Sequence, residues 1–425
     1  MTLFFAEGSG TTELSDQQLQ QALVATYRSL GNKKRVMIVP PDYTRLHSRA
    51  GRLTCMSYDH YGKAIVDVLP ALGTHKPMTT TQLNDMYPGL PHRLVRQHRW
   101  RSDVVTVGEV PGEFVRQATE NTWAEPWPAQ MNKRIWAGGH DLVVSIGQVV
   151  PHEVMGMANY NKNIFIGTGG ERSINESHFI GAVYGMERMM GRADTPLRRI
   201  LNQAQDQFCQ DLPMLFVLTV VGTNDRGELV TRGLYIGDDV ECFELAADLS
   251  LQVNFTQLDQ PMGKVVVTLP PDEFRTTWLG NKAIYRTRMA MKDGGELIIL
   301  GPGISGFGED PKIDKLIKKY GYRTTPEIMQ HVSHEDDLRS NLSTAAHLIH
   351  GSTEGRFRVT YCPGGLSRSE VEAVGYEYGS LAEAAARFPH ETLEEGWNHS
   401  VSEGEFYYIS NPALGLWALK SQFAS

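Results

Sequence analysis

The sequence predicts an α/β protein made of two α/β domains with largely parallel sheets and its active site in the interdomain cleft. Three observations lead there. Apolar runs of strand length alternate with helical stretches, and the strongest runs carry no polar alternation, as strands buried on both faces require. The chain has 425 residues, 41% of them hydrophobic and 21% charged, which is more than one core usually holds.

Taken in order, Ser15 and Gln18 read as a capping box, and Leu19, Leu23, Tyr27 and Leu30 follow at helical spacing until Gly31 stops the helix. Residues 35–39 then form an apolar strand that ends at Pro40-Pro41. A helical stretch over residues 58–72 and strands at 142–146 and 215–221 continue the alternation. A second set comprises strands at 264–269, 296–300 and 358–361, with helices near 312–320 and 335–350. The tail offers one more strand at 405–410. The expected division is a cofactor-binding domain over 1–258, completed by 390–425, and a second domain over 259–389.

Lys and Arg number 41 against 49 Asp and Glu, a formal net charge of −8, which repels polyanions and argues against nucleic acid or an anionic membrane as partner. Cys55, Cys209, Cys242 and Cys362 are scattered and read as reduced packing residues. Residues 1–10 lack a basic and then apolar leader pattern, and no apolar run reaches about 18 residues, so the expected location is cytoplasmic.

Four constellations carry chemistry. Asp42-Tyr43-Thr44-Arg45 follows the first strand, where open α/β sheets gather ligands, and its groups suit a ribose or phosphate; an N-cap with a surface ion pair is the plainer reading. Gly73-Thr74-His75-Lys76-Pro77 sets a histidine on a glycine turn, although a lone histidine is more often structural. The densest stretch holds Gly147, Pro151-His152, Lys162, Gly167-Thr168-Gly169-Gly170 and Ser177-His178, a poor filling for a core and a good lining for a site. It contains neither a phosphate-binding P-loop nor a dinucleotide fingerprint.

His75, His152 and His178 are also a possible His₃ zinc set, but no H-E-x-x-H spacing backs it. Lys282, with Arg275 and Arg286 nearby and Trp278 and Leu279 just before it, suits a substrate carboxylate or a solvated basic face. His331, His334, His347 and His350 read as structural, the first two at an acidic helix start and the last two at a helix end.

In order, Asp42-x-Thr44-Arg45, Gly-Thr-His75-Lys-Pro77, His152, Lys162 ten positions on, His178 sixteen further and Lys282 resemble the lactate racemase family of nickel-pincer-nucleotide enzymes. The likeness runs from about residue 35 to about residue 300. It implies a pyridinium-3,5-bisthiocarboxylic acid mononucleotide nickel cofactor, tethered at Lys162, with His178 on the metal. It further implies His75 and His152 as acid/base residues with pKa values near working pH, Asp42, Thr44 and Arg45 around the nucleotide, and Arg45, Lys282 and Trp278 at the substrate.

The implied reaction is racemisation or epimerisation of a 2-hydroxy acid, with hydride transfer to and from the cofactor through a 2-keto acid. Transient partners would be the cofactor-biosynthesis proteins, without which the chain would be apo. Residues 163–170, Trp278 and Leu279 depart from the lactate enzyme, which points to a larger or more polar acid. A His-based metallohydrolase and a non-catalytic nucleotide-binding protein are the alternatives.

Overall fold

A computed structural model describes residues 2–423. Contacts divide the chain into two compact units, one of residues 1–180 and 188–254, the other of 181–187 and 255–425.

The first unit is organised on a six-stranded sheet in the order Leu3–Gly8, Leu229–Gly237, Met214–Thr223, Leu142–Gln148, Val36–Val39, Ile65–Val68. The last four run parallel, and an antiparallel pair closes one edge. Val36, Met37, Ile38 and Val39 are all fully buried, which is why the run could dispense with polar alternation. Helix Asp16–Ser29 packs Leu19, Leu23 and Tyr27 into this core, and its capping box forms as read.

The predicted helix over 58–72 is only partly right. A helix spans Ala50–Tyr61, and Gly62, at φ +51°, ends it so that Ile65–Val68 can become the strand beside Val36–Val39.

The second unit carries another six-stranded sheet, in the order Glu377–Tyr378, Arg358–Pro363, Met291–Gly301, Met262–Thr268, Gly404–Ile409, Gly396–Ser400, parallel except for the last pair. The expectation that 390–425 completes the first domain is corrected here. Val265, Val266 and Val267 pair with Tyr407, Tyr408 and Ile409, and Trp417–Leu419 pairs with Thr256–Leu258, so the tail's hydrogen bonds are satisfied within the second unit.

The helix read over 335–350 is two, Asp336–Arg339 and Leu342–His350, because the Asn341 side chain caps the second by accepting from Thr344 N–H. His331 and His334 lie in the last turn of Thr325–His334, not at a helix start.

All four cysteines are buried and unbridged. Among the described residues no helix is long and apolar enough to cross a membrane.

Candidate active site

The first-unit residues singled out in the sequence hang from the carboxyl ends of three adjacent parallel strands, Leu142–Gln148, Val36–Val39 and Ile65–Val68. That is where open α/β sheets leave a crevice. Three backbone hydrogen bonds knit the strand-end loops together: Leu69 N–H to Ile38 O at 2.8 Å, Ala71 N–H to Pro40 O at 2.8 Å and Gly73 N–H to Gly167 O at 2.8 Å. The last ties the His75 loop to the glycine loop that follows Lys162. Gly73 makes the turn at φ +55°, which a side chain would strain.

Asp42 is buried, while Thr44 and Arg45 are exposed on the short 3-10 helix Tyr43–Ser48. Thr44 Oγ1–H donates to Asp42 Oδ1 at 2.5 Å, and His75 Nδ1 lies 2.6 Å from Asp42 Oδ2. Burial would raise the Asp42 pKa, but the bonds from His75 and Thr44 and the nearby positive charges outweigh it and hold the carboxyl below its ordinary value. An ionised carboxylate only accepts, so the His75 nitrogen facing it, Nδ1, carries a proton, and a neutral His75 ring would have its lone pair on Nε2.

His152 sits on a small hairpin, Pro151–His152 against Gly156–Met157, and its Nδ1 accepts from Val154 N–H at 3.1 Å. Its pKa lies well below the ordinary value: burial is the main cause, and the charges of Lys162, His178 and Arg45 add to it against Glu153. A value near working pH was expected at this position and is not found.

Lys162 is the second residue of the short helix Asn161–Phe165. Burial lowers its pKa to about 8; Arg45 and Arg198 work in the same direction, against Glu153 and Asp42. His178 is on helix Glu171–Tyr184, and burial lowers its pKa too. Its Nδ1–H donates to Ile174 O at 2.7 Å, which leaves Nε2 as a lone pair. The Lys162 charge thus lowers the pKa of both His152 and His178, His178 also acts on His152, and Asp42, bonded to His75, acts on Lys162. Electrostatic influence therefore links Asp42, His75, His152, Lys162 and His178.

Sequence reading missed the side chains that hold this cluster. Asn163 Nδ2–H donates to Val39 O at 2.9 Å and to Ser145 Oγ at 3.0 Å, pinning the lysine helix to two strand ends. Arg198, 1% exposed, donates to Met157 O at 2.9 Å, to Asn159 O at 3.2 Å and to the Asn161 side chain, with its guanidinium 4.1 Å from the Phe243 ring centre. It braces Asn159 and Tyr160, which take φ +66° and +59° just before Lys162. Buried His98 donates from Nε2 to Gly169 O at 3.0 Å, with Asn132 on its other nitrogen. Arg198 and His98 are ordinary polar residues in remote segments, and Asn163, although next to Lys162, belongs to no motif that flags its role.

In the second unit Lys282 begins helix Lys282–Thr287, with Nζ 5.4 Å from the Phe274 ring centre. Half-buried Trp278 packs on His347, ring centres 4.1 Å apart, and Tyr322 Oη is 3.1 Å from His347 Nε2. His347 is therefore a packing residue, as read.

The donor set fits the implied cofactor. His178 offers a bare Nε2 with its other nitrogen fixed by a carbonyl, the usual condition of a ligating imidazole. Lys162 offers an amine that loses its proton near pH 8. Among the described residues no group of three His, Cys, Asp or Glu could hold a metal ion, so a His₃ zinc site has no ligand set here.

Fold and site define a two-unit α/β protein with a lysine and imidazoles gathered at the ends of parallel strands. Residues 17–190 match the family described as lactate racemase N-terminal domain. No curated protein matches the chain by sequence. Among solved structures, a protein from Thermotoga maritima is similar at 22% identity with a TM-score of 0.78, covering 96% of this chain and 99% of that one. The lactate racemase apoprotein from Thermoanaerobacterium thermosaccharolyticum is similar at 16% identity with a TM-score of 0.70, covering 96% and 93%. The chain resembles the lactate racemase family in sequence over that first part and in fold over nearly its whole length.

Proposed function

We propose that the protein is a racemase or epimerase of a 2-hydroxy acid larger or more polar than lactate, working with a nickel-pincer nucleotide. Lys162 would tether the nucleotide, His178 would hold nickel, and Asp42, Thr44 and Arg45 would border it. When bound, that group supplies a reversible acceptor for hydride from the hydroxyl-bearing carbon.

The chain's own part is proton handling and orientation. A hydroxyl proton must leave as the carbon gives up hydride, and His75, with its bare Nε2 backed by the Asp42 carboxylate, is built to take it. The imidazolium so formed is stabilised by Asp42. His152 borders the same charged cluster and serves the substrate oxygen. Arg45, Lys282 and Trp278 are assigned to the substrate, the two cations for its carboxylate.

The observation that carries this reading is the electrostatic clustering of Lys162, His152 and His178 around a lysine helix tied to two parallel strand ends. Co-expression with the cofactor-biosynthesis proteins, followed by intact-mass and nickel analysis, tests it. A nucleotide-sized adduct that Lys162→Ala abolishes, together with inversion of a 2-hydroxy acid in an optical-rotation screen, is the expected result. No adduct under conditions that load a known lactate racemase overturns it.

A further inference from the structure

The second unit holds a cavity of about 250 Å³, lined by none of the residues assigned to the reaction. It lies at the amino ends of strands Arg358–Pro363 and Glu377–Tyr378, whereas open α/β sheets ordinarily gather ligands at the carboxyl ends. Buried Tyr322 and Tyr376 wall it, their rings stacked with centres 4.8 Å apart. The hydroxyls of both rings are engaged behind the wall. Tyr322 Oη is 2.7 Å from Thr277 Oγ1, and Tyr376 Oη–H donates to Gly351 O at 2.9 Å while accepting from Asn281 Nδ2–H at 2.9 Å. A ligand therefore meets a wall already in place and orders little on binding.

Four charged side chains border the cavity, Arg323, Arg358, Glu327 and Glu377, and they pair poorly with one another. Arg358 Nη1 stands 3.9 Å from Glu377 Oε1, beyond a hydrogen bond. Arg323 donates from Nη2 to a backbone carbonyl, Ala373 O at 3.3 Å, rather than to a carboxylate. Its guanidinium lies across Gly375, where a Cβ would come 2.2 Å from Nη1, so the glycine makes room for it. Glu327 Oε2 accepts from Thr324 N–H at 3.0 Å, and Glu354 Oε1 accepts from Thr325 N–H at 3.0 Å. The start of helix Thr325–His334 is thus capped from within the chain and calls for no outside anion.

We propose that this cavity binds a small α-amino acid in its zwitterionic form. Two guanidinium forks without a close carboxylate offer paired donors to the carboxylate of a ligand. A simple anion there also meets Glu327 and Glu377, whose like charge opposes it. An ammonium group on the neighbouring carbon turns that opposition into attraction at Glu377. Two cations and two anions on the walls sum to zero, as the charges of the ligand do. The space is below the roughly 300–1,000 Å³ that drug-sized ligands occupy, which restricts the amino acid to a short side chain. The site stands whether or not the protein inverts a 2-hydroxy acid.

The apo protein tests it, titrated at neutral pH and low salt with glycine, L-alanine, L-serine and L-threonine in ligand-observed NMR. Glycolate, L-lactate and L-glycerate, which carry a hydroxyl in place of the ammonium group, are run beside them, with ethanolamine, which lacks the carboxylate, and inorganic phosphate. Only binding that Arg358→Ala weakens is counted, which leaves aside acids held by Arg45 or Lys282. At least one amino acid should bind with a Kd of about 1 mM or tighter. Its hydroxy analogue and ethanolamine should each bind about tenfold more weakly or worse. Arg358→Ala should weaken the amino acid by about tenfold or more, and Glu377→Gln should shrink its advantage over the hydroxy acid.

Arg358 and Glu377 have side chains 61% and 54% exposed, so neither change disturbs the core, and circular dichroism checks that both variants are folded. Hydroxy acids or phosphate binding as tightly as the amino acids make this an anion site and overturn the proposal. Amino-acid binding that Arg358→Ala leaves unchanged lies elsewhere and overturns it as well. So does a lack of binding by all four amino acids, and none of these results bears on inversion of a 2-hydroxy acid by the loaded enzyme.

Discussion

His75 Nδ1–H donates to Asp42 Oδ2 at 2.6 Å, and that bond leaves Nε2 as the nitrogen not engaged by the carboxylate. Asp42→Asn substitutes a group that can offer a donor where an acceptor is needed, so the ring loses both its tautomer and the charge that stabilises its protonated form. Inversion of the 2-hydroxy acid should fall about 10²- to 10⁴-fold in kcat. KM should change far less. An unchanged kcat in stopped polarimetric assays would remove Asp42 from the proton path.

Lys162, with a pKa of about 8, should be about half neutral at pH 8, whereas a lysine at its ordinary value is roughly 0.3% neutral there. In the apo protein a small amine-directed reagent should therefore label Lys162 ahead of the exposed lysines, as read by peptide mass mapping. Arg45→Ala removes a charge that lowers this pKa and should slow the labelling. Labelling no faster than at the exposed Lys34 or Lys312 would contradict the depressed value.

Arg198 holds two carbonyls and one side-chain amide in the bend before Lys162. Arg198→Met keeps much of the stem but leaves those acceptors unpaired, at about 1–3 kcal/mol each when buried. A fall of about 3 kcal/mol in urea unfolding and slower labelling of Lys162 are expected. Loss of stability without any effect at Lys162 would limit Arg198 to packing.

Gly147 is a glycine because of Asn159: a Cβ there would lie 1.9 Å from Asn159 Nδ2. Gly147→Ala should cost about 1–3 kcal/mol as the bend shifts. Asn159→Gly, at a φ of +66° that glycine accepts freely, should restore most of it. Additive effects of the two changes in a double-mutant cycle would show that the contact is not the cause.

His347 is held neutral, with its pKa lowered to about 3 by burial and, secondarily, by His350. The unfolded chain takes up a proton below about pH 6.5 that the folded one refuses, so this stability is present above that pH and is lost as pH falls towards 3. Between those limits the wild type should lose up to about 1.4 kcal/mol per pH unit more than His347→Gln. Parallel pH profiles in urea melts would refute the assignment.

By itself the sequence determined what short-range patterns can carry. Four buried apolar residues at Val36–Val39 required a central strand, Ser15 and Gln18 set a helix start, and the ordered spacing of His152, Lys162 and His178 marked the proposed site. Tertiary structure decided what depends on partners distant along the chain. Gly62 could end a helix, but only pairing with Val36–Val39 makes Ile65–Val68 a strand. The tail strand Gly404–Ile409 reads the same whichever sheet receives it, and hydrogen bonding to Met262–Thr268 chose the second. The protons on His75 and His152 follow from a carboxylate in another loop and an amide two residues along, because a tautomer belongs to the bond a ring makes and not to the residue type.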